Sequence, residues 1–164
     1  MTTPTTYSKN CLCGSLLPYA NCCALLHAGT KKVTTAEALM RSRFTAYAMH
    51  NDSYLLQSWD TATRPANIDF SKETSEWTRL EIVATKKGQA KDSKGVVEFK
   101  AYFTQDGEEQ VLSEVSRFVK KQGQWLYLDG KVKSIGANSG PVNQGLNAPC
   151  RCGSGKKFKR CCGK

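Results

Sequence analysis

Cysteine is the residue type in this sequence that most directly indicates chemistry, because all eight cysteines lie in two short clusters near the chain ends. The spacing is the same in both: two cysteines one residue apart, then eight residues, then two adjacent cysteines. The second cysteine is followed by Gly-Ser in each cluster, and an aromatic residue occupies the same later position. The two quartets are Cys11, Cys13, Cys22 and Cys23, and Cys150, Cys152, Cys161 and Cys162. The chain therefore carries two copies of one small module.

Four thiolates suit a zinc ion, which takes a tetrahedron of sulfur ligands with Zn–S bonds of about 2.3 Å. A module this short cannot bury a hydrophobic core of its own, so a metal has to hold it together, as in zinc fingers. No ligand position is left for a substrate, which indicates closed structural sites. We therefore predict two Zn²⁺ ions per chain, each bound by four cysteines.

Other uses of the cysteines stay open at this point. Adjacent cysteines can form a disulfide, although the duplication and a reducing compartment argue against it. An iron–sulfur cluster also takes four thiolates, but at other usual spacings. His27 lies four residues past Cys23 and could replace a ligand; with four cysteines available, we interpret it as a surface residue. Zinc storage or delivery is a third alternative, and it would require exchangeable metal.

Composition and charge exclude several classes of protein. Lysine and arginine number 24 against 14 acidic residues, which gives a formal charge of +10; two zinc–thiolate centres would lower it to about +6. The apolar runs, such as residues 22–26, are far shorter than the ~20 residues of a membrane span. The polar, threonine-rich residues 1–10 do not have the pattern of a secretory signal. We expect a cytoplasmic protein with reduced thiols and no membrane span.

The sequence around the second quartet resembles a known motif. Residues 150–162 read CRCGSGKKFKRCC after Pro149, which is similar to the SEC-C motif, named for the C-terminal tail of the SecA translocation ATPase. The resemblance implies zinc binding and, because that tail contacts the chaperone SecB, a protein partner. The first quartet departs from the motif, since Leu16, Leu17 and Pro18 replace the basic run.

A second resemblance covers the whole chain. Residues 39–47, LMRSRFTAY, are similar to a signature of the YchJ-type bacterial proteins. That resemblance implies a nuclear-transport-factor-like domain, a cone-shaped fold, placed between SEC-C motifs. It implies no particular activity.

The pattern of apolar residues between the quartets agrees with this fold. A capping box from Thr34 to Glu37 predicts a helix to about His50, and Asn51 or Asp52 can cap a second short helix. Alternating apolar stretches then predict about four strands. Turn signals separate them at Lys87-Gly88, Asp106-Gly107 and Gln122-Gly123. We predict an α+β fold, in which helices pack on a curved antiparallel sheet of the cystatin-like or cone type, flanked by two small zinc modules.

This pattern divides the chain into four parts. We predict an N-terminal SEC-C-like zinc module at 1–30, a cone domain at 31–135, a flexible linker at 136–148 and a C-terminal SEC-C zinc module at 149–164. The linker follows from its glycine, asparagine, serine and proline content.

Arg43 is the residue of the cone domain that most needs an explanation, because its helical position lies at the centre of an apolar face. A guanidinium cannot be buried without partners. It either forms a structural ion pair with a carboxylate of the sheet, for which we choose Glu114, or it lines a cavity and binds an anionic ligand. Tyr47, Asp60, Asp69 and Glu114 are candidates for proton transfer by residue type only. We interpret His50 as a capping or surface residue.

We hypothesise a zinc-binding protein that acts as a protein-interaction module on a cone-fold scaffold. The expected partner is an acidic protein, such as a chaperone or a translation-linked protein, because six cations crowd the end of the chain: Arg151, Lys156, Lys157, Lys159, Arg160 and Lys164. Phe158 is the only aromatic residue among these cations, and because Tyr19 takes the same place in the first module the position suits packing, which argues against specific nucleic-acid binding. The alternative is a small-molecule binder or an enzyme that uses the cone cavity near Arg43. No nucleophile–base pair is evident, so an enzyme is the less favoured reading.

Overall fold

The computed structural model describes residues 10–137, which form three helices, a short 3₁₀ turn and a four-stranded sheet. The second cysteine quartet, the proposed C-terminal module and nearly all of the predicted linker lie outside the described residues. In chain order the elements are a 3₁₀ turn at Tyr19–Asn21, α1 at Cys23–His27, α2 at Ala36–Ala48, α3 at Asp52–Gln57, β1 at Glu76–Lys87, β2 at Lys94–Gln105, β3 at Glu108–Lys121 and β4 at Gln124–Ala137. Strand β4 thus extends two residues past the predicted end of the domain.

The sheet is an antiparallel meander with the strand order β1-β2-β3-β4. Two-residue turns at Asp106-Gly107 and Gln122-Gly123 connect the last three strands, and all four of these residues have positive φ. This is the backbone of type I′ turns, whose twist matches that of the strands they join. Register shifts in the β1–β2 and β3–β4 pairings add local bends to the sheet.

Helix α2 begins one residue later than the sequence predicts. Thr35, not Thr34, is the N-cap, and its Oγ1 accepts a hydrogen bond from the N–H of Ala38 at 3.1 Å. The predicted capping box does not form, because the carboxylate of Glu37 pairs with Arg41 at 2.9 Å instead of turning back to the N-cap. Helix α3, the second helix that the sequence predicts, is capped as expected: the side chain of Asn51 accepts from the N–H of Tyr54.

The hydrophobic core lies between α2 and one face of the sheet. Its buried members come from α2 and all four strands, and they include Leu39, Leu80, Val97, Phe118 and Trp125. The alternation predicted for β2 is present, with Val97, Phe99, Ala101 and Phe103 buried. In β1 the alternation ends near Ile82, where a register shift precedes Ala84 and leaves the latter exposed. Among the helices of residues 10–137, none has the length and apolar character needed to cross a membrane.

Candidate metal centre and adjoining cavity

The first cysteine quartet forms a compact cluster of four sulfur atoms. The Sγ atoms of Cys11, Cys13, Cys22 and Cys23 all lie within 4.8 Å of one another. The Cys13–Cys22 and Cys22–Cys23 separations are 3.5 and 3.9 Å, whereas sulfur ligands of one zinc ion stand about 3.8 Å apart, given Zn–S bonds of about 2.3 Å. These four cysteines are free thiols. The donor set and its spacing therefore fit a tetrahedral metal ion.

The loop that carries Cys11 and Cys13 is a tight knuckle. The N–H of Cys11 donates to the carbonyl of Leu17, and the N–H of Gly14 donates to the carbonyl of Cys11. Gly14 has a φ of +90°, and a Cβ there would approach the Arg41 guanidinium at 3.1 Å. Glycine at this position thus permits both the turn and the close approach of the loop to α2.

Ser15 connects the two pairs of cysteines. Its hydroxyl donates to the Sγ of Cys22 at 3.0 Å and accepts from the N–H of Leu17 at 3.2 Å. The hydroxyl therefore ties the knuckle to the second pair of cysteines, which lies at the start of α1.

Helix α2 supplies the surroundings of the cluster. The Sγ of Cys11 lies 3.6 Å from the hydroxyl of Thr45, and the Sγ of Cys23 donates to the carbonyl of Arg41. The guanidinium of Arg41 donates to the carbonyl of Cys13. Such contacts fix the orientation of metal ligands. Sequence reasoning missed Arg41 and Thr45, although both lie inside the segment LMRSRFTAY that it singled out.

The thiols interact strongly with one another. Hydrogen bonds from Cys13 and Cys23 lower the pKa of Cys11. The hydrogen bond to Cys11 raises the pKa of Cys13 to about 11, and the corresponding hydrogen bond raises the pKa of Cys23. Contacts among the thiols thus favour ionisation of one sulfur while the others hold their protons more tightly. A divalent cation would replace those protons and bind all four sulfurs as thiolates.

His27 is not a member of the cluster, and it is not the surface residue that we expected. It is half-buried, with Nδ1 2.9 Å from the hydroxyl of Tyr19 and Nε2 2.9 Å from the carbonyl of Ser42. Since a carbonyl only accepts, Nε2 donates to Ser42, and in the neutral imidazole Nδ1 accepts from Tyr19. His27 therefore connects the cysteine module to α2.

Arg43 is buried on the opposite side of α2, with only 2% of its surface exposed. Its Nη1 donates to the carbonyl of Leu55 at 2.8 Å and to the hydroxyl of Ser58 at 2.7 Å. The rings of Trp59 and Tyr127 lie 5.0 and 4.5 Å from its central carbon. Burial lowers the pKa of Arg43, and the neighbouring tyrosines partly oppose this. Arg43 thus holds the end of α3 by hydrogen bonds and cation–π contacts.

The predicted ion pair between Arg43 and Glu114 is not formed at contact distance. No carboxylate among residues 10–137 lies within 4.0 Å of the Arg43 guanidinium. The two side chains nevertheless face the same cavity. Glu114 instead accepts a hydrogen bond from the hydroxyl of Ser116 at 3.2 Å, and burial raises its pKa. The helix–sheet interior is where sequence reasoning placed both residues, but their partners differ.

This cavity has a volume of about 250 Å³ and lies between α2 and the sheet. Its wall is mostly apolar, with the polar groups of Arg43, Tyr47, Glu114, Ser116 and Tyr127. The apolar part is formed by Met40, Phe44, Trp77, Phe99, Ala101 and Leu112. Burial raises the pKa of Tyr47, and burial with the nearby Glu114 raises that of Tyr127 to about 12, so both phenols are protonated donors at neutral pH.

The other proposed proton-transfer residues do not line this cavity. Asp60 is buried beside β4 and pairs with Lys121 at 2.8 Å. Asp69 is exposed and accepts from the N–H of Ser71. His50 is an exposed residue just past the end of α2, with a φ of 58°, and stacks on Phe70. The structure therefore separates these three side chains from Arg43 and Glu114.

The fold and the site together define a class of protein: an α+β domain of the nuclear-transport-factor-like type, preceded by a four-cysteine cluster. Residues 35–130 match the model of the YchJ middle NTF2-like domain, and residues 147–164 match the SEC-C motif. The chain belongs to the YchJ family, whose curated members are called UPF0225 proteins. Relatives from Vibrio cholerae and Serratia proteamaculans are 38% and 42% identical over 94% of this chain, and cover 99% and 97% of their own lengths.

Two solved structures are similar to this one. A SEC-C motif containing protein from Rhodopseudomonas palustris, solved in solution, is 35% identical, with a TM-score of 0.68 over 77% of this chain and 100% of its own. A SEC-C motif containing protein from Psychrobacter arcticus, solved by crystallography, is 32% identical, with a TM-score of 0.62 over 94% of this chain and 96% of its own. The recognition of the family and the α+β fold are thereby confirmed.

Proposed function

We propose that this protein is a cytoplasmic zinc-binding interaction module, with one Zn²⁺ in each cysteine quartet. The observation that carries the proposal is the convergence of four free thiols within 4.8 Å in the first quartet. Four soft sulfur ligands at tetrahedral spacing favour zinc over hard cations. Free thiols in this arrangement suit a reducing compartment such as the cytoplasm.

The duplicated motif supplies a matched test of the metal assignment. Protein purified under reducing conditions should contain about two zinc ions per chain by elemental analysis. The double substitution Cys22→Ser/Cys23→Ser should remove one equivalent, and Cys161→Ser/Cys162→Ser should remove the other. Iron with visible charge-transfer absorption, or disulfides found by mass spectrometry in freshly prepared protein, would contradict the zinc assignment. A single equivalent that only one double substitution removes would contradict the second site.

The proposed partner is an acidic protein. Near the first quartet, Lys31, Lys32 and Arg41 line a groove beside Cys22, and Leu16 and Leu17 of the knuckle are 75% and 50% exposed. Cations beside exposed leucines suit a surface that carries both carboxylates and apolar side chains. The run of cations at residues 151–164 adds charge of the same sign.

A capture experiment tests this interaction. The full chain and a chain ending at Ala148 are used as baits, and captured proteins are identified and then tested again as purified components. We expect an acidic protein whose affinity falls with rising salt and falls further without residues 149–164. Binding that is unchanged by salt and by the truncation, or capture of RNA alone, would contradict the proposal.

The second candidate function is small-molecule binding, with or without catalysis, in the cavity near Arg43. The observation that favours it is the open volume of about 250 Å³ in the interior of the cone domain, with charged and phenolic side chains in its wall. An apolar pocket with a few convergent polar groups is the usual form of a ligand site. The substitution Ala101→Leu should fill the cavity and abolish uptake of any small probe while the domain stays folded.

A further inference from the structure

We propose that the cavity beneath α2 binds a small apolar monocarboxylate, whose carboxylate group lies against Arg43 and whose apolar body lies against the aromatic and aliphatic wall. This inference rests on the second candidate function, because it names the chemical class of the ligand that the cavity would take.

The first argument is the charge of Arg43. The guanidinium is 2% exposed, yet its partners are the carbonyl of Leu55, the hydroxyls of Ser58 and Tyr47 and two aromatic rings, and none of these carries a charge. The described residues place no carboxylate within 4.0 Å of it. A buried cation whose partners are all neutral is costly, and the open volume beside it is where an anion can lie.

The second argument is the division of the cavity wall. Arg43, Tyr47 and Tyr127 supply donors to one region, and both phenols keep their protons at neutral pH. The remaining wall is dominated by Phe44, Phe99 and other apolar side chains. A ligand with one carboxylate group and an apolar body matches the donors of the first region and the apolar surface of the second. The volume is somewhat below the range of about 300–1,000 Å³ typical of drug-sized ligands, so a single ring or a short chain fits best.

Glu114 makes this ligand class testable, because it faces the same cavity. As a carboxylate it repels a bound anion, and as a carboxylic acid it can donate to one. Burial raises the pKa of Glu114 toward the neutral acid, and Ser116 and Arg43 partly oppose this. Glutamine carries no charge and keeps a donor, so the substitution removes the repulsion of the carboxylate form and changes little for the acid form. A carboxylate ligand should therefore bind at least as tightly in Glu114→Gln, whereas a ligand that donates to Glu114 should lose affinity.

The experiment uses the full chain with benzoate and hexanoate as probes and benzamide and hexanamide as their uncharged counterparts. Binding is followed by ¹H–¹⁵N NMR titration and by tryptophan fluorescence. We expect saturable binding of an acid, about tenfold tighter than its amide and at least as tight in Glu114→Gln. Ala101→Leu should abolish it. Val83→Thr, a change on the exposed part of β1 away from the cavity, should leave it unchanged.

Three outcomes would overturn the inference: no saturable binding of either acid, amides that bind as tightly as the acids, or weaker acid binding in Glu114→Gln. If amides bind and Ala101→Leu removes them, the cavity is a ligand site and only the carboxylate assignment fails. Arg43→Lys keeps a cation but not the planar donors, so it should lower the affinity for the acid. The NMR spectrum of this variant shows whether its domain is folded. Zinc content measured on each sample keeps the metal proposal separate from these outcomes.

Discussion

The cysteine module and the cone domain are held together by different physical means. In the module, residues 11–23 bury little except the cysteines themselves, and three of its leucines, Leu12, Leu16 and Leu17, are exposed. The cone domain instead buries aromatic and aliphatic side chains from α2 and all four strands. The comparison shows that the stability of one small chain can depend on a bound ion near one end and on apolar burial in the middle. Each contribution to stability can be tested by a separate change.

Metal removal is the change with the largest expected effect. Binding of structural zinc contributes on the order of 10–16 kcal/mol of apparent free energy in zinc-finger peptides, and the module has no core to replace it. A strong chelator should therefore unfold residues 11–28 while the cone domain stays folded. Hydrogen exchange resolved by residue measures this, with amides of β2 as the internal reference. A module that keeps its protection after the metal has been removed would end the distinction between the two regions.

The converse change is a cavity in the core. Phe118→Ala removes a side chain that is 1% exposed, and such truncations cost about 3–5 kcal/mol. Denaturant unfolding should show this loss in the cone domain, while zinc content below the transition stays as in the wild type. The exposed-site substitution Val83→Thr serves as the control. Loss of zinc in parallel with the loss of core stability would mean that the two regions unfold as one unit.

The start of α2 offers a smaller test at the junction of the two regions. Thr35→Ala removes the N-cap hydroxyl that binds Ala38, which should cost about 1 kcal/mol. Thr34→Ala is the matched control, because Thr34 contributes a carbonyl to Trp125, not a cap. The free energies of unfolding of both variants decide the matter. A larger loss in Thr34→Ala than in Thr35→Ala would place the cap at the position that the sequence predicts.

The smallest expected effect is a pH dependence that belongs to the cone domain alone. Lys121 and the N–H of Ala62 lower the pKa of Asp60 below its ordinary value. A lowered folded pKa stabilises the fold above the unfolded value of about 4, and this contribution is lost as pH falls through the folded value. The free energy of unfolding should therefore fall below about pH 4 less steeply in Asp60→Asn than in the wild type. An identical slope in both proteins would exclude this role of Asp60.

Sequence reasoning reached the fold because its signals were local. The alternation in β2 and the turn pairs Asp106-Gly107 and Gln122-Gly123 depend on neighbours in the chain, and they are present in the structure. The predicted position of the N-cap of α2 was wrong by one residue, because Glu37 pairs with Arg41 instead of with the helix start. The i,i+4 spacing of Glu37 and Arg41 is that of a helical ion pair, so the sequence allows both arrangements and does not by itself decide between them.

The candidate sites were predictable only in part for the same reason. The spacing of the first four cysteines sufficed to bring their sulfurs together, because a short loop leaves few other arrangements. The partners of Arg43 could not be predicted, since Leu55, Ser58 and Tyr127 come from separate elements that only the fold brings together. His27 was misassigned because its contact with Ser42 joins two helices.

Helix α2 has a consequence for how this sequence can change. Arg41 and Thr45 face the sulfur cluster, and Arg43, Phe44 and Tyr47 face the cavity. Inserting one residue near Arg41 would rotate everything after it by about 100°, so that both sets of side chains would lose their neighbours in a single event. Insertions at the hairpin tips or termini should therefore be tolerated far more readily than insertions inside α2. The reason is that two separate sites depend on side chains from opposite faces of this one helix.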